Sequence, residues 1–135
     1  MSHANVEALR RVYDEWGKGN LRAGLDLLDA NIVYINRPGL FVTGTCYGIE
    51  EMKRWMREFL RAWESYEAHA TEFIPCGDTV VVAFRQVAMG YGSGIPSEMN
   101  TFAVWTFRGL KVIRLEKMSD RREALEAAGL SEAQN

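Results

Sequence analysis

The sequence is poor in the residues that hold metals, staples and membranes. Its 135 residues include only two cysteines, two histidines and three prolines. Cys46 and Cys76 show no metal-ligand spacing and are read as free thiols in a reducing cytoplasm. With His3 and His69 the only histidines, and no carboxylate near His69 at ligand spacing, neither a metal nor another cofactor is expected. No apolar run approaches the ~20 residues that cross a bilayer. The first five residues have neither a basic start nor an apolar core, which argues against export and for a cytoplasmic location. The net charge is −2, with Lys and Arg dispersed among acids, so no basic face for nucleic acid is expected. Repeats and low-complexity linkers are absent as well.

What is present reads as one domain over residues 1–135, with an ordered core of about 5–130. Val6, Leu9, Tyr13 and Trp16 fall on one helical face, which Gly17-Lys18-Gly19-Asn20 stops. Leu21, Leu25 and Leu28 predict a second, short helix, and Ile32 to Asn36 a strand that ends before Pro38. A long helix is expected from about Ile49 to Trp63. Glu50 and Glu51 lie in its first turn and basic residues follow, as the helix dipole favours. Those basic residues are read as a solvated face.

The period then changes to two. Tyr66–Ile74, Thr79–Met89, Glu98–Phe107 and Lys111–Met118 predict four antiparallel strands, and Asp120 caps a last helix that ends at Gly129. Helices first and strands afterwards give an α+β class. The long strands are apolar on both sides, so both sheet faces need cover. Helices can cover one; the other is expected to meet a second copy of the chain in a homodimer.

The order of these elements resembles the nuclear transport factor 2-like superfamily, and within it the SnoaL-like branch. The resemblance rests on Gly19-Asn20-Leu21, on Tyr34 to Pro38, on Gly48-Ile49-Glu50-Glu51, on Gly77 to Val82 and on Asp120 to Leu125. It implies a cone-shaped, curved antiparallel sheet whose N-terminal helices close a central cavity over a small-molecule ligand. Carried onto this chain, it implies an inward set of Tyr13, Trp16, Tyr34, Asn36, Phe59, Trp63, His69, Arg85, Val87, Met99, Thr101 and Lys117.

The nearest local similarity is to limonene epoxide hydrolase, in which a Tyr and an Asn two residues apart precede a proline and an Arg lies on a central strand. Tyr34, Asn36 and Arg85 match. The two carboxylates of that site do not, because Val87 and Lys117 stand in their places. Opening an epoxide with water needs a base and an acid, so the resemblance stops short of that mechanism. A ketosteroid isomerase reading also fails, since Arg37 stands in place of its Asp base, and Val12 and Ala103 in place of its Tyr and Asp oxyanion donors. Glu116 is expected to point outward, and Asp120 to serve as a helix cap.

Arg85 and Lys117 facing a cavity without an acid would seek their counter-ion in the ligand, an apolar molecule bearing a carboxylate or enolate. His69, with Tyr34 and Arg85, is then the candidate proton-transfer group. Three functions follow: an isomerase, cyclase or dehydratase; a binding module that turns nothing over; or a dimerising protein with a vestigial pocket, with an epoxide hydrolase-like enzyme as a further alternative. The Gly90 to Gly94 stretch is read as a hairpin tip, since no helix follows it to hold a phosphate.

Overall fold

A computed structural model describes residues 2–92 and 94–130. The first helix, α1 (Ser2–Gly17), buries Val6, Leu9 and Tyr13 on its expected face. The leucines that follow do not form a second helix. Gly24 takes φ 93° and leaves only a 3-10 turn, Leu25–Leu27, before β1 (Leu28–Asn36) begins. A Cβ on Gly24 would come within 3.1 Å of both Val12 methyls, so the close approach to α1 as well as the backbone angle requires glycine. β1 thus starts at Leu28, and Asp29-Ala30-Asn31 lies within it.

A four-residue strand, β2 (Gly44–Tyr47), pairs with β1 and is too short to show a period in the sequence. Next come α2 (Ile49–Arg61), β3 (Ser65–Cys76), β4 (Thr79–Met89), β5 (Pro96–Arg108), β6 (Lys111–Met118) and α3 (Arg121–Ala127). The Asp120 carboxylate accepts the Glu123 N–H at 3.1 Å and so caps α3.

The strands lie in the order β2-β1-β6-β5-β4-β3. β3 to β6 form the expected antiparallel meander, but the sheet as a whole is mixed. β1 runs parallel to β6, with Tyr34 opposite Leu115 and Asn36 opposite Lys117. The chain reaches β6 from β1 only after β2, α2 and three further strands, so no local turn dictated their relative direction. Bulges between Ala70 and Glu72 and between Thr106 and Phe107 interrupt the ladders. The sheet is curved and does not close.

Its inner face carries Val80, Val82, Phe84, Ala103, Trp105 and Leu115, packed with α1 and partly with α2. Each such large side chain removed from water stabilises the fold by ~1.5–3 kcal/mol. α3 covers part of the outer face by packing Ala124 on Val81, Val104 and Met118. The chain's own last helix thus covers that patch of the outer face. On the same side Arg37 bonds Glu116 at 2.6 Å and Glu123 at 3.2 Å, tying the end of β1 to β6 and α3.

Candidate functional site

The inner face of the sheet, α2 and the 19–25 turn enclose a cleft of about 780 Å³. That is the size of a small-molecule site. Beyond it lies a narrow recess of about 20 Å³, room for about one water molecule, bordered by Asn36, Phe41, Phe59, Tyr66 and Gln86. Trp16, Leu21, Tyr34, Met56 and Lys117 border both spaces and so form the junction between them.

Lys117 dominates the junction chemically. Its side chain comes from β6 beside Ala103 and Asn36, which fixes it on the inner face. It is only 7% exposed. Its Nζ lies 5.2 Å from the Tyr34 ring centroid and 5.7 Å from those of Trp16 and Phe84. Among the described residues no carboxylate comes within ion-pair distance of it. Three ring faces offset part of the desolvation of a buried cation, but they accept no strong hydrogen bond from its three donors.

Two polar side chains of β1 face the same space. Among the described residues the Tyr34 hydroxyl hydrogen-bonds only the Met56 sulfur, at 3.8 Å, a weak acceptor. Asn36 is buried, and its Nδ2 has no partner among the described residues. Across the recess, Tyr66 donates to the Gln86 carbonyl, and the Gln86 amide donates to the Thr101 hydroxyl at 2.7 Å. Burial pushes the Tyr66 phenol well above its ordinary range, so it stays a protonated donor. This chain fixes the recess wall and leaves its polar groups satisfied.

Of the residues expected to face the cavity, Trp16, Tyr34, Asn36, Phe59 and Lys117 border the cleft or its recess. Thr101 is fully buried behind Gln86. Met99 pairs across the ladder with Gln86 but borders neither space. Tyr13 is buried lower in the core, where its hydroxyl accepts the Trp105 indole N–H at 3.1 Å. Trp63 packs on Phe41 at 5.3 Å, outside the cleft lining.

Three expectations are overturned. Arg85 and Val87 point outward, because Phe84 pairs with Thr101 and Gln86 with Met99, and paired residues share a face. Arg85 is exposed and bonds Glu98 at 2.7 Å, so its counter-ion is the chain's own. His69 pairs with Arg85 and is also turned away from the cleft. Its Nε2 meets Glu67 at 2.9 Å, and its Nδ1 lies near Gly17 at the end of α1. Neither borders the cleft or its recess. Gln86, Tyr66 and the 40–42 loop were not expected there. Gln86 stood on the β4 face read as outward, and Tyr66 was read only as the first residue of a strand.

Residues 9–115 match the sequence profile of the SnoaL-like domain. The chain belongs to the SnoaL-like domain family. Solved structures share this SnoaL-like fold across most of their length. A nuclear transport factor 2-like protein of unknown function from Burkholderia pseudomallei is 20% identical with a TM-score of 0.74, covering 90% of this chain and 95% of its own. A candidate SnoaL-like polyketide cyclase from a Jannaschia species is 21% identical with a TM-score of 0.73, covering 88% and 87%. TerC, co-crystallised with polyporic acid, is 21% identical with a TM-score of 0.73, covering 93% and 98%. At these identities the likeness establishes the fold alone. No curated protein matches the chain.

Proposed function

We propose that this SnoaL-like protein binds a small, mostly apolar organic molecule through a carboxylate- or enolate-type oxyanion at Lys117, and catalyses proton transfer on it. The carrying observation is the buried Lys117 side chain, ringed by aromatic faces and, among the described residues, without an acid to pair with. A buried cation in that state favours any ligand that brings the missing charge. Asn36 supplies a second unused donor nearby, and Trp16, Met56 and Phe59 supply an apolar bed. The ligand-bound relative TerC is a fold-level parallel, since its partner there is an acid.

The reaction class follows from what faces the cleft. No carboxylate borders it among the described residues, so no strong carboxylate base is at hand to pull a proton from a weakly acidic carbon. A substrate acidic enough to arrive ionised, such as a 1,3-dicarbonyl, removes that need. Lys117 and Asn36 then hold the enolate oxygen, and the Tyr34 hydroxyl is the group placed to deliver a proton to carbon and recover it from water. Isomerisation, aldol-type cyclisation and dehydration all pass through such an ion.

The test is deuterium wash-in from heavy water at the acidic carbon of an aryl 1,3-diketone, followed by proton NMR. Wild type is expected to accelerate exchange, Tyr34→Phe to slow it with the diketone still bound, and Lys117→Met to lose both. Saturable binding with exchange no faster than buffer would overturn the catalytic half and leave a binding module.

A further inference from the structure

The mouth of the cleft is as one-sided in charge as its interior. Arg22, Lys53, Arg57 and Arg61 border it, and no Asp or Glu does among the described residues. The chain as a whole is net negative, at −2. The cleft therefore presents a local field opposite in sign to that of the molecule. Lys53, Arg57 and Arg61 recur every four residues along α2, so they stack in one stripe about 6 Å apart. Like charges at that spacing repel and disfavour the helix. Only Lys53 has a partner, Glu50 at a loose 3.8 Å on the exposed side. Arg22, Arg57 and Arg61 make no ion pair among the described residues. A stripe of this kind, read from the sequence as a solvated face, leaves room for counter-charge from a molecule entering the cleft.

We infer that this rim is a second anion subsite, separate from Lys117, which takes a phosphate-bearing head group whose apolar body lies in the cleft below. The inference builds on the anion-binding role of Lys117 but rests on different residues. Two arginines and a lysine suit a phosphate better than a single carboxylate, because each guanidinium offers a planar fork and the head carries more than one charge. The exposed Tyr91 at the hairpin tip borders the same mouth and offers a ring for the linker to pack on. Two chemical sources join a phosphate to an apolar body in this way: an acyl thioester of a phosphopantetheine carrier such as coenzyme A, and a single-chain phospholipid.

Binding is measured by titration calorimetry at low and at physiological salt with matched pairs. The first pair is phenylacetyl-coenzyme A against phenylacetate; the second is lauroyl lysophosphatidate, below its micelle concentration, against laurate. At least one phosphate-bearing ligand is expected to bind about tenfold or more tightly than its parent acid, with an advantage that shrinks as salt rises. The variant R57Q/R61Q is expected to remove that advantage while the parent acid binds as before, which also shows that the variant is folded. Whichever pair shows the effect names the source of the phosphate. The inference is overturned if neither phosphate ligand outbinds its acid, or if the advantage persists in R57Q/R61Q. Phosphate ligands that bind through the rim while both acids fail to bind would instead sink the role given to Lys117.

Discussion

At the scale of single residues, two cations that look alike in sequence have opposite fates. Lys117 is held inward by a tight turn. Arg108 pairs with Lys111 across Gly109 and Leu110, and the bulge that follows still brings Lys117 opposite the inward Ala103. Arg85 is turned outward onto Glu98. Lys117→Met should therefore leave stability unchanged or raise it by about 1 kcal/mol, since a buried cation is exchanged for an apolar side chain. It should also weaken acid binding at least about tenfold, because a charge-assisted contact is lost. Chemical denaturation and calorimetry on the same sample check both halves. Arg85→Met removes an exposed pair, and a change of no more than about 1 kcal/mol is expected, with ligand affinity intact. A large loss of affinity there would mean that the outer face takes part in binding.

At the scale of elements, most of the architecture was legible, and the misses have separate physical causes. α1, α2, α3 and the four long strands are recoverable from periodicity and turn residues because each buries a stripe of matching period. The inward face of β4 was not, because both of its faces are apolar. Val81 and Ala83 pack outward while Val80, Val82 and Phe84 pack inward, all of them buried. The loop between β4 and β5 is long enough to allow either register, and a slip of one residue exchanges the faces. That error carried Arg85, Val87 and His69 into the expected site and kept Gln86 out of it. The leucine run before β1 failed for another reason, since Gly24 at φ 93° outweighs helical spacing.

Gly24→Ala should accordingly cost on the order of 1–3 kcal/mol in a urea titration, through strain and the Val12 contact. Because Gly24 borders the cleft, the same change should disturb ligand binding. α3 offers a pH-dependent counterpart. Arg121 bonds Glu72 on β3 at 2.9 Å and holds its carboxyl below the usual range. A carboxyl lowered on folding adds stability above its unfolded value of about 4.3, and that stability is lost as pH falls through the folded value. The pair is largely exposed, so Glu72→Gln should cost no more than about 1 kcal/mol at pH 7. Melting curves of the two proteins should converge as pH falls through the lowered folded value of Glu72, whereas a difference that persists in strong acid would assign the loss to packing.

At the scale of the whole molecule, a curved sheet, one lid helix and a turn enclose a space whose lining is aromatic and cationic but not acidic. The family fixes the scaffold, and these side chains decide what the scaffold can hold. The positions at which the resemblances to limonene epoxide hydrolase and ketosteroid isomerase imply catalytic acids carry Arg37, Val87, Ala103 and Lys117. Arg37 is committed to Glu116 and Glu123 outside the cleft. Val87 points outward, and Ala103 is packed in the core. Lys117 is thus the one substitution of the four that leaves a chemically active group in the cleft.

The central claim is that Lys117 recognises a negative charge. Its most direct test is titration of wild type and Lys117→Met with a series of aryl-alkanoic acids and their methyl esters. Acids are expected to bind wild type more tightly than the matching esters, and the difference to disappear in Lys117→Met while ester binding is kept. Equal binding of acid and ester by wild type, or an acid preference that survives in Lys117→Met, would contradict it.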